Sequence, residues 1–236
     1  MLHIGETQVN LGMPNAKVLY FGGTKMGPII GESGEPTPSG TVLHLYDRVD
    51  GKATVAGFWT DGNNQRYAVC VADAQYRSGD KWWSESEVDT LLPNYTSSEA
   101  ALAAGESGTY NTDTILDNYT ATDYTAFNVA RNACTVTVDN KIFTSCLPNL
   151  KELDMLYQDR TALDTYDPTL SSYSSRSLST WNIEGTSKYI CWSSTESNLG
   201  AGWSLESGSL KKYTKYYSFG IIPIIEIPVD ENGRVM

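Results

Sequence analysis

The sequence predicts an α+β fold in which strands outnumber helices. Strand-like runs of alternating or β-branched residues recur along the chain, while only two stretches repeat apolar residues at helical spacing. The composition points the same way: Gly 20, Tyr 15 and Trp 6 in 236 residues describe a loop-rich chain with aromatic anchors, not a helical bundle. That length suffices for one fair-sized domain or two small ones, with a real core.

Residues 1–40 differ from the rest. Ile4-Gly5-Glu6-Thr7-Gln8-Val9 is echoed by Phe21-Gly22-Gly23-Thr24-Lys25-Met26, and Lys17 to Phe21 reads as a strand between them. Such short strands cannot build a core alone, so 1–40 is expected to be a docking or oligomerisation segment. Its end, Gly31 to Gly40, has linker composition. The main domain, 41–236, is expected to open with strands at 41–46, 53–59 and 66–73, the last two joined by a turn at Asp61-Gly62-Asn63-Asn64. Residues 74–123 read as irregular and acidic, with turn-forming Asn-Tyr-Thr triplets at 94–96 and 118–120. A first helix is expected over Tyr124–Ala133, where Phe127, Ala130 and Cys134 recur at helical spacing. A second starts at Pro148, shows an apolar face of Leu150, Leu153, Met155, Leu156 and Tyr157, and ends at Arg160. The Ser/Thr-rich stretch 169–180 reads as a loop. Strands return at 188–192, 202–205, 212–214 and 219–225.

Charge narrows the function. With 28 acidic against 17 basic side chains the formal charge is −11, which argues against nucleic acid as a partner, because neutralising phosphates needs clustered Lys and Arg. No apolar run approaches the roughly 20 residues of a membrane helix, and the first residues lack a signal peptide's basic start and apolar run. The expectation is therefore a protein made soluble in a cytoplasm, with no membrane insertion. Cys70, Cys134, Cys146 and Cys191 form no C-x-x-C pair and read as buried reduced thiols. His3 and His44 are the only histidines, and no nucleophile motif accompanies either. No phosphate-binding G-x-x-x-x-G-K loop is present, and no cofactor is expected. Glu85, Glu87 and Asp89, with Asp113, Asp117 and Asp123, keep a carboxylate-dependent glycan hydrolase as the alternative. Calcium among these acidic loops has no twelve-residue ligand pattern behind it, and no metal ligand is assigned.

The most informative stretch is 181–228. Trp181, Trp192 and Trp203 are evenly spaced among Ser, Gly, Asn, Tyr and Lys. Large aromatics there are expected in the core, with the polar and tyrosine positions between them exposed. Tyr supplies contact area at low entropic cost while Ser and Asn adapt, so this composition reads as a recognition surface.

Several motifs occur in a fixed order: Leu147-Pro148-Asn149-Leu150-Lys151-Glu152-Leu153, Cys191-Trp192-Ser193-Ser194-Thr195-Glu196, Ala201-Gly202-Trp203, Lys215, and Phe219-Gly220-Ile221-Ile222-Pro223-Ile224. Together they resemble the C-type-lectin-like domains of phage receptor-binding proteins, collagen-like adhesin C-termini and diversity-generating retroelement variable proteins, over residues 124–228. The N-terminal repeat resembles, more weakly, short repeats that open phage tail or head appendage proteins. The resemblance implies a C-type lectin-like fold of two helices, small antiparallel sheets and long loops. It implies Trp192, Ser193, Ser194, Thr195, Trp203 and Pro223 as scaffold. As ligand-binding positions it implies Trp181, Asn182, Lys188, Ser197, Asn198, Leu199, Ser204, Glu206, Lys211, Lys212, Tyr213 and Lys215. The calcium-dependent lectin motifs, a lectin disulfide to Cys134 and the active-site cysteine pair of formylglycine-generating oxidases have no counterpart here and are not carried over.

What this implies is a non-enzymatic variable protein on a virion surface, such as a tail fibre, displaying a diversifiable face for host adhesion. Its partners would be a host cell-surface protein or glycan and other virion or appendage subunits, including copies of itself in a homo-oligomer. A purely structural virion decoration protein is a further alternative.

Overall fold

The computed structural model describes residues 2–4, 7–9, 18–21, 24–28, 40–73, 77–82, 90–166 and 190–236. The chain divides into two compact units, Met1–Gly40 and Thr41–Met236. In the first unit, β1 (Leu2–Ile4) pairs antiparallel with β2 (Thr7–Val9), and β3 (Val18–Phe21) pairs antiparallel with β4 (Thr24–Pro28).

The second unit is built on two sheets. The four-stranded one runs β15-β7-β6-β5, from β5 (Arg48–Val49), β6 (Ala53–Thr60), β7 (Arg66–Ala72) and β15 (Ile224–Val229). Its central strands are apolar almost throughout because both faces are covered. On one face Ala56, Trp59, Val69 and Val71 pack with Leu153, Leu156 and Leu163 of a long helix, α4 (Leu150–Tyr166). On the other, Val55, Ala68, Cys70, Ile225 and Ile227 meet Val136 and Val138 of a hairpin, β9 (Thr135–Val138) with β10 (Lys141–Thr144). That hairpin turns through Asp139 and Asn140, both with positive φ (50° and 62°), the conformation a tight two-residue connection demands.

The five-stranded sheet runs β13-β12-β11-β14-β8, with β8 (Arg77–Lys81), β11 (Ile190–Asn198), β12 (Ala201–Glu206), β13 (Ser209–Thr214) and β14 (Ser218–Ile221). Its pairings are antiparallel except β11 with β14. The run expected as one strand over 219–225 is two strands in two different sheets. Proline has no N–H to give a ladder, and at Ile222-Pro223 the chain leaves the five-stranded sheet to enter the four-stranded one as β15.

Three shorter helices precede α4: α1 (Ser98–Leu102), α2 (Gly108–Asn118) and α3 (Thr125–Arg131). The Ser97 and Ser107 hydroxyls cap α1 and α2, accepting from the Ala100 and Tyr110 N–H groups at 3.2 and 3.1 Å. The expected helix at 124–133 is α3. The expected helix from Pro148 is α4, which continues past Arg160 to Tyr166 because Leu163 extends its buried face. The strand expected at 41–46 reduces to a single bridge, Val42 to Arg234, followed by a turn that holds Tyr46 at a φ of 68°. The stretch 169–180 lies outside the described residues.

These elements correct the expected fold. An α+β lectin-like fold with two helices and small sheets does not describe a unit whose described residues form four helices and two larger sheets, of five and four strands. The two extra helices lie in the acidic segment expected to be irregular. In α2 the buried positions are Gly108, Asn111, Thr112 and Ile115, so a mostly polar face is buried and no apolar stripe announces a helix.

Gly108 begins α2 against the chain that leads into α4. A Cβ there would stand 2.7 Å from the Leu147 carbonyl oxygen and 2.8 Å from Glu152 Oε2. The first is backbone and the second is held by the Asn149 N–H at 2.8 Å, so Gly108→Ala is expected to destabilise the domain by about 1–3 kcal/mol, the usual cost of overpacking. Chemical denaturation of the purified variant measures it.

Candidate ligand-binding face

Strand β11 is the frame of this region. From Trp192 to Ser197 every residue is buried, and five of the six are polar. Buried polar groups need partners, and from Ser193 to Glu196 neighbouring elements supply them, while Ser197 Oγ has none among the described residues. Ser193 Oγ donates to the Trp203 carbonyl on β12 at 2.8 Å, and the Ser193 carbonyl accepts Trp82 Nε1–H at 2.9 Å. Ser194 N–H donates to the Pro148 carbonyl at 2.7 Å, and Ser194 Oγ accepts from the Asn111 amide of α2 at 3.0 Å. Thr195 Oγ1 accepts the Leu150 N–H at the start of α4 at 2.9 Å.

Glu196 ends this series with a buried ion pair. Its Oε1 meets Lys215 Nζ, its Oε2 accepts the Thr90 hydroxyl, and Lys215 and Glu196 are 1% and 0% exposed. The Lys215 ammonium also stands 4.5 Å from the Trp82 ring centroid, so an aromatic face adds to the carboxylate in offsetting its lost hydration. This pair fixes the turn after β13 to the end of β11.

Two turns therefore lie side by side at this end of the sheet. The β11–β12 turn carries Asn198, Leu199 and Gly200, closed by Gly200 N–H donating to Asn198 Oδ1 at 3.0 Å. The β13–β14 turn is joined to it by Lys215 N–H donating to the Gly200 carbonyl at 3.1 Å, and closed by Tyr217 N–H to the Thr214 carbonyl at 3.0 Å. Leu199, Tyr216 and Tyr217 stand on these turns 47%, 44% and 45% exposed. The two tyrosine rings lie 4.9 Å apart between centroids, and a hydrogen bond donated to Tyr216 raises the Tyr217 phenol above its ordinary pKa. Behind them a run of rings leads into the core: Tyr217 to Phe219 at 6.0 Å, Tyr213 to Phe219 at 4.8 Å, and Phe219 to buried Trp192 at 4.7 Å.

The ligand-binding positions implied by the sequence separate by environment. Asn198 and Leu199 are exposed on the first turn, and Lys211 and Lys212 are exposed on edge strand β13. Tyr213 is half-buried. Burial first, then the hydrogen bond it donates to Glu206 Oε2 at 2.6 Å, pushes its phenol up to about 12. Ser197, Ser204, Glu206 and Lys215 are buried in the sheet. Ser204 Oγ donates to the Lys211 carbonyl at 3.3 Å, and Glu206 binds Tyr213 and, at 2.9 Å, Lys211 Nζ. Lys212 Nζ lies over the Trp203 ring at 5.0 Å and donates to the Thr96 carbonyl. Trp181, Asn182 and Lys188 lie outside the described residues. Tyr216 and Tyr217 are not among the implied positions, although the tyrosine doublet after Lys215 was a visible signal.

Of the carboxylates of the hydrolase alternative, Asp113 and Asp117 lie one turn apart on α2. Glu85, Glu87 and Asp89 fall outside the described residues, and Asp113 pairs with Arg131 of α3. His44 is exposed on a turn, its Nδ1 3.2 Å from Asp47 Oδ2. The four cysteines are free thiols; Cys70, Cys146 and Cys191 are buried and Cys134 half-buried. Among the described residues no group of three or more His, Cys, Asp or Glu could hold a metal ion. None of their helices is long and apolar enough to cross a membrane.

Removing one partner of the buried pair strands the other's charge. Lys215→Ala is expected to cost about 3–5 kcal/mol, read from urea unfolding, and the neutral double variant Glu196→Gln/Lys215→Met to recover much of it. A single variant as stable as the wild type would show that the pair does not hold the turns. No family model matches this chain, nor does any curated protein or solved structure.

Proposed function

We propose that this chain is a non-enzymatic ligand-binding protein whose recognition face is the pair of turns at the end of the five-stranded sheet. One observation carries the reading: three large apolar side chains, Leu199, Tyr216 and Tyr217, are held out to solvent on backbone that is itself pinned from behind by Lys215 and Glu196. Exposed aromatics on a rigid frame bind at small entropic cost, because the ordering has been done in folding, and Tyr is prominent among residues that dominate interface energies. Asn198, exposed on the first turn, adds a polar contact beside Leu199.

The finer identification rests on the sequence, where the order of motifs around 147–153, 191–196, 201–203 and 219–224 resembles phage receptor-binding and variable proteins. On that ground the ligand is a protein or glycan of the host cell surface, the protein is carried on a virion appendage, and residues 1–40 hold it to sister subunits or other copies. Weak single sites would then act together, since linked sites raise each other's effective concentration.

Fluorescently labelled wild type and the double variant Tyr216→Ala/Tyr217→Ala should be compared on a glycan array and on intact bacterial cells. Loss of at least about 30-fold in affinity, the equivalent of a 2 kcal/mol hot spot, is expected with an unchanged unfolding midpoint. Equal binding by both proteins would move the site away from these turns. Hydrolysis of an arrayed glycan by the wild type would overturn the non-enzymatic reading.

A further inference from the structure

Elsewhere in the second unit, two buried carboxyl groups lie where β15 passes the starts of α2 and α4. Glu152 closes a capping box on α4: Asn149 N–H donates to Glu152 Oε2 at 2.8 Å, and Glu152 N–H donates to Asn149 Oδ1 at 2.8 Å. The Gly108 N–H of α2 also donates to the Glu152 carboxyl. From β15, Glu226 Oε2 accepts the Thr109 N–H at 2.8 Å. Both residues are at least 95% buried, the Glu152 carboxyl stands beside Gly108 and the Glu226 carboxyl on its neighbour Thr109, and Oε1 of each is buried without a hydrogen-bond partner among the described residues. Two ionised carboxylates have no hydrogen to place between them, so only a proton lets these two orphaned oxygens satisfy each other.

We propose that Glu152 and Glu226 share one proton at neutral pH and form a pH-sensitive clasp that joins β15 to the starts of α2 and α4. With the proton present, one group donates to the other and the remaining charge is spread over three backbone N–H donors at two helix N-termini, where negative charge is favoured. Once the proton leaves, two like charges face each other in a buried site. The groups around the pair offer no compensating charge. Tyr67 of β7 is a neutral phenol, its pKa pushed up to about 12 by burial first and by Asp61, Glu226 and Glu152 in addition. Cys146 is a neutral thiol held up by burial, with Glu226 and Glu152 adding to the effect. Arg131, which acts on Cys146, is paired with Asp113 of α2, whose own carboxyl is raised by burial.

The direction of the pH dependence follows. Burial first, and then Glu226, hold the Glu152 pKa well above the ordinary value of 4.5. Below that ordinary value folded and unfolded chains both carry the proton, and the clasp's contribution is complete. Above it the unfolded chain gives the proton up while the folded chain keeps it, so stability falls as pH rises through the raised folded pKa.

Glu226→Gln tests this, because the amide it introduces can accept from Thr109 N–H and donate to Glu152 with no proton required. Between about pH 5 and about pH 9 the wild-type unfolding midpoint should fall, and the variant's should fall much less, leaving the variant the more stable at the alkaline end. Parallel pH profiles would overturn the proposal. A second measurement needs no variant: calorimetric unfolding near neutral pH, in buffers of differing ionisation enthalpy, should show about one proton released per chain. Release of none would overturn it as well.

Discussion

Six consecutive buried residues on β11, five of them polar, oblige the surrounding elements to present donors and acceptors at fixed places, and much of the second unit is arranged to meet that demand. The Asn111 amide must reach Ser194, which sets how α2 lies along the strand. The Leu150 N–H must reach Thr195, which sets where α4 begins, and the Pro148 carbonyl takes the Ser194 N–H just before it. Trp82 and Trp203 bring both a large ring and a hydrogen bond: indole to the Ser193 carbonyl for Trp82, indole to the Tyr95 carbonyl for Trp203. An apolar strand would have packed against many partners in many registers. A polar one accepts few arrangements, because each misplacement leaves an unsatisfied group costing about 1–3 kcal/mol.

The same requirement explains which parts of the architecture can be read from the sequence. Strands β6 and β7 and helices α3 and α4 announce themselves through apolar runs or helical spacing, since their burial is mainly hydrophobic. Helix α2 does not, because Asn111 and Thr112 are buried through hydrogen bonds to Ser194 and to the Leu147 N–H rather than through apolar contact. The hairpin β9–β10 turns on Asp139-Asn140, a weaker signal than a glycine turn. Pro223 marks a strand boundary once the two sheets are known, but within the apolar run 219–225 it reads as an interruption of one strand.

For the candidate face, residue type alone was a poor guide to exposure. Lysine and glutamate are seldom fully buried, so Lys215 and Glu206 read as surface positions in a Ser-, Asn- and Lys-rich stretch. Each is buried here against a specific partner on another strand or turn: Lys215 against Glu196, nineteen positions earlier, and Glu206 against Tyr213 and Lys211 across the β12–β13 hairpin. Register decides the hairpin case. Ser204 pairs with Lys211 and Gly202 with Tyr213, so Glu206, Lys211 and Tyr213 lie on the same face and meet there.

The division between buried and exposed polar chemistry bears on how such a face could change its ligand. Charges at Glu196, Glu206 and Lys215 are engaged within the sheet, and altering one removes a partner from another buried group. Leu199, Tyr216 and Tyr217 stand on turns whose geometry is set by main-chain hydrogen bonds, at Gly200 with Lys215 and at Thr214 with Tyr217, which do not depend on side-chain identity. Exposed side chains on such a frame can be exchanged at a cost usually within about 0.5 kcal/mol of stability, whereas the buried set cannot. Tolerance of side-chain exchange is therefore greatest at the turn tips, and the ion pair beneath them is what keeps their main chain in place.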